Sequence, residues 1–271
     1  MKHELPQSDR VAVTLDEHGI AHVRLTRADK LNALDPPMFE ALHAAGRALM
    51  HLPALRAVVL SGEGKAFCAG LDVAAMGPAV AEGAVRLIER THGNANWYQQ
   101  VAVQWRKLPV PVIAAIHGVC YGGGLQIAAG ADIRVAAPDA RLAIMEMRWG
   151  LVPDMGGFAL LRDCLREDVL RELTYTNAEV SGEIARRLGL VTHVDADPLA
   201  RALALACDIA GKHPEAVRAA KRLFNHAHDL SFDAILAEES VEQQRLAGSR
   251  NQKEAVRAQL SGTAPDFTDP V

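Results

Sequence analysis

The chain has 271 residues, of which 49% are hydrophobic, and a formal net charge of -4. This length is enough to bury a full core, and no apolar run approaches the roughly 18 residues that a membrane span needs. An acidic balance without a basic stripe argues against a nucleic-acid partner, and the start Met1–Pro6 lacks the apolar core of a signal peptide.

The first half of the chain alternates predicted strands and helices. Two runs of alternating apolar and polar residues, Val11–Asp16 and Ile20–Thr26, predict a β-hairpin. Asp35, followed by two prolines, predicts a capped helix start. An apolar strand ending at Leu60 comes next and leads into the glycine-containing stretch Gly62–Asp72.

The same order then returns. We predict a helix through Glu82–Trp105, a strand at Val110–Ile116 and a loop at Gly118–Gly124. A short helix, a strand and a further segment follow at Leu125–Ala129, Ile133–Ala136 and Ala140–Met145. This alternation favours an α/β core with parallel strands and crossover helices.

After about Asp195 the predicted elements are all helical. The four helices are Pro198–Lys212, Pro214–His228, Ser231–Ala247 and Gln252–Gln259. We therefore divide the chain into an α/β core, residues 1–195, and a helical region, residues 196–271. Apolar stripes that begin at Leu199 and Phe232 pack either on the core or on another subunit, and the tail from Ser261 is expected to fray.

Four cysteines are scattered along the chain without a CxxC pair, at Cys68, Cys120, Cys164 and Cys207. This pattern argues against a zinc site or a disulfide framework and suits a reducing, cytoplasmic location. We interpret Cys68 as a small buried residue, since no sequence signature pairs it with a base. We expect no metal.

Two glycine-containing loops follow predicted strands, one within Gly62–Asp72 and the other at Gly122–Gly124. Phe67 stands where a dinucleotide-binding G-x-G-x-x-G would need its third glycine, and no G-x-x-x-x-G-K-[ST] exists. Either both loops are simply tight turns, or they hold a developing oxyanion with backbone N–H groups. Glycine permits that close approach, and the triplet opens a helix with a positive dipole end.

Five motifs then occur in order along roughly Val11–Ala196. They are RADKLNAL at 27–34, KAFCAGLD at 65–72, PVPVIAAIHG at 109–118, the glycine triplet, and GLVPDMGG at 150–157. With them the chain resembles the crotonase superfamily, the enoyl-CoA hydratase/isomerase family. The resemblance implies a crotonase-like spiral of repeated ββα units. It also implies a C-terminal helical oligomerisation region that assembles homotrimers or hexamers.

The resemblance further implies an acyl-CoA thioester substrate and no separate cofactor. It assigns the oxyanion N–H groups to Leu71 and Gly123. The substrate-binding positions that it implies are Arg27, Lys30, Lys65, Ala66, Phe67, Cys68, Ala69 and Asp72. Arg27 and Lys30 would lie near the phosphates of coenzyme A, although from the residues alone both are also plausible as ordinary surface charges.

Glu146 is the first candidate for proton transfer. It lies in the apolar sequence AIMEM, where burial would raise its pKa and suit it to acid/base work. The alternative is a structural ion pair with Arg141 or Arg148. The resemblance places Glu146 at a catalytic glutamate position.

Gln126 and Asp154 distinguish the reactions of the family. Gln126 stands where hydratases carry a second glutamate and dienoyl-CoA isomerases an aspartate, and an amide holds water but exchanges no proton near neutral pH. Asp154 falls where dienoyl-CoA isomerases carry a second proton-transfer aspartate, yet it equally suits the cap of a helix at Met155–Leu165. We favour double-bond isomerisation by Glu146 and Asp154.

Three alternatives stay open at this stage. The first is enoyl-CoA hydration by Glu146, with Gln126 holding the water. The second is another enolate reaction, such as thioester hydrolysis or decarboxylation, and the third is a catalytically silent acyl-CoA-binding protein. The segment Ala74–Trp105 is expected to form the wall of the acyl pocket, with apolar bulk from Met76, Trp97, Tyr98 and Trp105.

Overall fold

Two β-sheets lie at the centre of the computed structural model, which describes residues 5–75 and 86–270. The strands are, in chain order, β1 (Val11–Leu15), β2 (Ile20–Leu25), β3 (Ala57–Gly62), β4 (Ala66–Cys68), β5 (Val112–Ile116), β6 (Val119–Tyr121), β7 (Ile133–Ala136), β8 (Arg141–Ala143), β9 (Val180–Ser181) and β10 (His193–Val194). The larger sheet has the order β1-β2-β3-β5-β7-β10, and the smaller has the order β4-β6-β8-β9.

Helices surround these sheets. Those with bounds inside the described ranges are α1 (Pro36–Met50), α2 (Trp97–Lys107), α3 (Gly123–Ala129), α4 (Gly157–Leu161), α5 (Glu167–Thr176), α6 (Gly182–Leu188), α7 (Pro198–Ala210), α8 (Pro214–His226), α9 (Phe232–Leu246) and α10 (Arg250–Ser261). Two 3-10 turns lie at Ala28–Lys30 and Glu146–Trp149. Over residues 5–75 and 86–270, no helix is both long enough and apolar enough to cross a bilayer.

The chain winds as a spiral because successive strands alternate between the two sheets. β3, β5 and β7 pair in parallel in the larger sheet, while β4, β6 and β8 pair in parallel in the smaller one. Every residue of β5 is buried, as expected for a parallel strand covered on both faces. The predicted α/β core with parallel strands is confirmed.

The hairpin and the helix cap predicted near the N-terminus are also confirmed. β1 and β2 form the predicted antiparallel hairpin, with Val13 opposite Val23. Asp35 caps α1, since its carboxylate accepts a hydrogen bond from the Met38 N–H at 3.0 Å. Pro36 occupies the first helical position, where its missing N–H costs nothing.

The helix predicted through Glu82–Trp105 is shorter than expected. It begins at Trp97 because the Asn96 side chain accepts from the Gln99 N–H, while the Gln99 side chain accepts from the Asn96 N–H. This capping box ends the non-helical stretch that precedes it. Residues 82–85 and Met76 lie outside the described residues.

The predicted loop at Gly118–Gly124 also differs from expectation. It contains the three-residue strand β6, which pairs with β8, and α3 begins already at Gly123. Strands of two or three residues are too short to show a periodic pattern, and sequence analysis missed β9 and β10 for the same reason.

The four helices after Asp195 are confirmed within a few residues. On α7, Leu199 and Leu203 pack on the larger sheet beside Val59 and Ile113, so this stripe is covered by the chain's own core. On α9 no residue is buried, and Phe232 is 78% exposed. Of the two predicted apolar stripes, only the one that begins at Phe232 is therefore left uncovered within the described chain.

The C-terminal tail does not fray as predicted. Thr268 exchanges hydrogen bonds with the buried Asn251 side chain, at 2.9 and 3.0 Å. Asp269 forms an ion pair with Arg56, at 2.6 Å. These polar contacts hold the tail against the folded chain despite its lack of regular structure.

Candidate active site

The first loop of the site pairs with a neighbouring segment through a parallel bridge between Leu34 and Leu71. The Leu34 N–H donates to the Gly70 carbonyl at 2.8 Å, and the Asp72 N–H donates to the Leu34 carbonyl at 2.9 Å. Because neighbouring N–H groups of an extended chain point in opposite directions, the Leu71 N–H faces away from this bridge. It donates to no acceptor within residues 5–75 and 86–270.

The second loop brings Gly123 to the same place. As the first residue of α3, Gly123 has no intrahelical acceptor for its N–H. Gly70 has a φ of +88°, and a Cβ added there would lie 3.5 Å from the Gly123 nitrogen, so the two loops are in contact. A Cβ at Gly123 would lie 2.9 Å from the sulfur of Met155, which explains the need for glycine there.

Glu146 lies beside the glycine triplet. A Cβ added to Gly122 would come 3.2 Å from Glu146 Oε1. That oxygen accepts a hydrogen bond from Gln126 Nε2 at 2.6 Å, while the buried Oε2 has no protein partner in the described part of the chain. Burial raises the pKa of Glu146, and the nearby charge of Asp154 adds to this shift.

The structural ion pair proposed as an alternative for Glu146 is not formed. Arg141 instead pairs with Glu179, with Nε and Oε1 2.7 Å apart. Among the ion pairs of the described residues, none joins Glu146 to Arg148. The half-buried carboxyl group of Glu146 therefore has an amide partner and no cationic one.

Gln126 holds Glu146 in place. Its side chain is buried, and its Oε1 accepts a hydrogen bond from the Gly157 N–H at 2.9 Å. This contact fixes the orientation of the amide, so Nε2 must face Glu146. Gln126 was recognisable from the sequence, but its hydrogen bond with Gly157, which is 31 residues away, was not predicted.

Asp154 lies in the turn before α4 and does not cap it. The helix begins at Gly157 rather than Met155, its N-cap is Gly156, and no side chain caps it. Burial raises the pKa of Asp154. The pKa of Tyr98 is also raised, first by burial and then by the charge of Asp154, so α2 brings this phenol near the site. Sequence analysis assigned Tyr98 only apolar bulk.

The comparisons with known proteins identify the family. The family model for enoyl-CoA hydratase/isomerase matches residues 16–270. The chain belongs to the enoyl-CoA hydratase/isomerase family. This places it in the crotonase superfamily and makes it an enzyme of that family, in agreement with the resemblance. The alternative of a catalytically silent acyl-CoA-binding protein therefore loses its support.

Individual members of this family are similar over most of the chain. The mitochondrial Delta(3,5)-Delta(2,4)-dienoyl-CoA isomerase of Mus musculus is 33% identical over 236 residues, which are 84% of this chain and 72% of that protein. The enoyl-CoA hydratase structure from Polaromonas sp. JS666 has a TM-score of 0.86 at 28% identity, covering 96% and 100% of the two chains. The hydratase structure from Mycobacterium tuberculosis H37Rv has a TM-score of 0.84, also at 28% identity, covering 96% and 99%.

The residues expected to bind coenzyme A in this family member fall into two groups. Lys30 and Lys65 are exposed, whereas the side chains of Ala66, Phe67 and Cys68 are buried in β4. As whole residues these three are at most 1% exposed, so neither their side chains nor their backbone present a surface to a ligand. The Ala69 N–H is already used, since it donates to the Leu31 carbonyl at 2.9 Å.

Arg27 and Asp72 are bonded to each other. Arg27 Nη1 donates to Asp72 Oδ2 at 2.8 Å and to the Ala33 carbonyl at 3.0 Å. Its Nη2 lies 3.4 Å from Asp35 Oδ2, and the side chain is only 13% exposed. Arg27 is therefore engaged by two carboxylates rather than presented on the surface.

Cys68 is a buried thiol, as interpreted from the sequence. Its Sγ donates to the Asn32 carbonyl at 3.1 Å, and burial raises its pKa to about 12. A thiol with this pKa is not a nucleophile near neutral pH. It fills the space beneath Gly124, where an added Cβ would lie 2.7 Å from the Cys68 Cβ.

Proposed function

We propose that this enzyme moves a double bond within an enoyl- or dienoyl-CoA thioester. Glu146 and Asp154 act as the acid/base pair, and the N–H groups of Leu71 and Gly123 hold the thioester oxygen. The observation that carries the proposal is the presence of two nearby, half-buried carboxyl groups whose pKa values are both raised by burial. Such a pair supplies one proton acceptor and one proton donor in the same cleft.

Glu146 is assigned as the base. It lies beside the glycine triplet. A thioester whose carbonyl oxygen is held by the two N–H groups would present its neighbouring carbon to this carboxylate. The hydrogen bond from Gln126 Nε2 favours its ionised form, and Oε2 is the oxygen left to accept a proton. Gln126 is thus a positioning residue in this proposal.

Asp154 is assigned as the acid. Burial keeps its carboxyl group protonated to a higher pH than an exposed aspartate. Removal of the carbon-bound proton by Glu146 creates an enolate, and the electron pair then takes the Asp154 proton at the far end of the conjugated system. Each oxyanion N–H contributes about 3 kcal/mol to stabilising the enolate. Exchange of protons with water restores the two carboxyl groups.

The similarity to the mouse dienoyl-CoA isomerase supports this reaction, because that relative is named for it. The test is a panel of 3,5-dienoyl-, 3-enoyl- and 2-enoyl-CoA thioesters, with Glu146→Gln and Asp154→Asn as variants. We expect wild type to form the conjugated 2,4-dienoyl product, detected by its ultraviolet absorption. Each variant should lose about 100- to 10,000-fold in turnover while keeping thioester binding.

Hydration is the second candidate, since solved hydratases share this fold and Gln126 Nε2 has a further N–H with which to hold a water. Brisk hydration of 2-enoyl-CoA, with Asp154→Asn unaffected, would contradict the isomerase proposal. Gln126→Glu separates the two reactions further. It supplies the second carboxylate that hydration needs, so we expect hydration to rise and isomerisation to fall.

We also propose that the chain assembles as a homotrimer or as stacked trimers through its helical region after Asp195. The support is the uncovered apolar stripe of α9. There Phe232 is 78% exposed, and Leu236, one turn further along the same face, is 45% exposed. A helix without buried residues gains little stability from its own chain, because amphipathic helices are stabilised mainly by packing.

A further inference from the structure

A short segment runs alongside the first loop of the site and supports it. We call Leu31–Asp35 the backing strip. It accepts a hydrogen bond from the Ala69 N–H through Leu31 and one from the Asp72 N–H through Leu34. It donates one to the Gly70 carbonyl through the Leu34 N–H. The direction of the intervening Leu71 N–H is therefore set by this strip.

The backing strip has a conformation that needs external support. Leu31 and Asn32 have φ values of 51° and 56°, in the left-handed region that residues with a Cβ rarely adopt. Asn32 is buried and holds the start of the strip, since its Nδ2 donates to the carbonyls of Glu63 and Ala66 at 3.0 and 2.8 Å. The other end of the strip is held by Arg27.

Arg27 joins that end to the oxyanion loop. Its Nη1 contacts both the Ala33 carbonyl in the strip and Asp72 Oδ2, the residue directly after Leu71. Its Nη2 lies 3.4 Å from Asp35 Oδ2. One guanidinium group thus joins the two segments whose bridge orients the Leu71 N–H.

The charges around Arg27 are already balanced. Asp35 is also bound by Arg10, whose Nη2 lies 3.0 Å from Asp35 Oδ2. Two guanidinium groups therefore face two carboxylates, which leaves little net attraction for a phosphate group. Exposed Lys30 and Lys65 are better suited to that role.

We propose that Arg27 is a positioning residue for the oxyanion hole, and not a phosphate contact of coenzyme A. The inference rests on the proposed oxyanion role of Leu71. Loss of the guanidinium would let the backing strip and Asp72 move apart and would misdirect the Leu71 N–H. The thioester carbonyl would then be polarised less in the bound state.

The test compares a full CoA thioester with the pantetheine thioester of the same acyl group, which lacks the nucleotide. For Arg27→Gln we expect kcat to fall by about 10- to 100-fold with both thioesters, while KM changes little. Arg27→Lys should recover only part of the activity, because an ammonium group lacks the planar fork that reaches several acceptors. Asp72→Asn should reproduce the kcat defect.

Two further variants calibrate this result. Lys30→Gln should raise KM for the CoA thioester alone, which is the signature of a phosphate contact. Arg166→Gln removes an exposed ion pair with Asp168 and should change neither parameter. If Arg27→Gln behaves like Lys30→Gln, with kcat unchanged, the positioning role is overturned.

A spectroscopic readout separates this inference from the proposed reaction. Binding of a conjugated chromophoric thioester, such as cinnamoyl-CoA, should shift its absorption band to the red in wild type and less in Arg27→Gln. An inactive wild type that still shifts the band would contradict the isomerase proposal alone. A full shift in Arg27→Gln overturns the role of Arg27, and if that variant does not fold, a full shift in Asp72→Asn overturns it.

Discussion

At the scale of single residues, the proposed chemistry depends on a carboxyl group whose burial costs free energy. Glu146 is half-buried, has an amide partner in Gln126, and forms no ion pair among the described residues. Burial without a counter-charge disfavours the ionised form and raises the pKa, which suits the group to the role of base that we propose. The same feature lowers the stability of the folded chain once the group ionises.

This cost gives a prediction for the pH dependence of stability. Because burial raises the pKa of Glu146 in the folded state, the folded chain binds that proton more tightly than the unfolded chain does. The free energy of unfolding therefore falls as the pH rises from the ordinary value of 4.5 through the raised value. We expect Glu146→Gln to melt higher than wild type at neutral pH and at the same temperature below pH 4.5.

Thermal unfolding followed by circular dichroism across this range would check the prediction. The Gln126 amide can still donate to the new side-chain carbonyl, so the hydrogen bond is retained. A variant that melts below wild type by the same margin at every pH would show that Glu146 stabilises the fold by packing instead.

At the scale of elements, one buried lysine attaches the C-terminal helices to the core. Lys221 on α8 donates to the carbonyls of Trp105 and Val110 at 3.0 and 2.7 Å. It also reaches Asp132 Oδ2 at 2.8 Å, and that oxygen accepts the Val112 N–H as well. The contacts join α8 to the end of α2 and to the start of β5.

We therefore expect Lys221→Met to be strongly destabilising. The substitution preserves the length of the side chain but leaves two carbonyls and a partly buried carboxylate without their partner. Loss of one member of such a pair costs about 3 kcal/mol. Chemical denaturation measures this, with the exposed pair of Arg166 as the control, where no measurable change is expected. A Lys221→Met chain as stable as wild type would contradict this role.

At the scale of the whole molecule, the uncovered stripe of α9 is the feature that a single chain does not explain. The stripe of α7 lies on the larger sheet, whereas Phe232 on α9 is mostly exposed. Contiguous exposed apolar side chains of this kind mark interaction surfaces. That the helical region after about Asp195 mediates assembly thus remains a prediction.

Light scattering coupled to size-exclusion chromatography tests the predicted assembly. We expect wild type to elute as a trimer or hexamer at micromolar concentration, and Phe232→Asp to shift the distribution toward monomer because it places a charge in the apolar contact. The circular dichroism spectrum of the variant should stay close to that of wild type. A stable wild-type monomer at that concentration would rule the prediction out.

The sequence by itself determined the features that depend on neighbouring residues. The hairpin, the Asp35 cap, the strand at 133–136 and the C-terminal helices were predictable because periodicity, capping residues and prolines act locally. The glycine positions were also recognisable, because a close backbone approach requires glycine. Glu146 was recognisable as an isolated carboxylate in an apolar run.

Only the tertiary structure decided which of these residues act together. Gln126, Glu146 and Gly157 meet through hydrogen bonds between residues 20 and 31 positions apart, and Arg27 reaches Asp72 across 45 positions. No local pattern encodes such contacts, because they follow from the parallel pairing of strands distant in sequence. For the same reason the sequence could not decide whether Asp154 is a helix cap or a proton donor. The structure excludes the cap, because the helix begins at Gly157 and no side chain caps it.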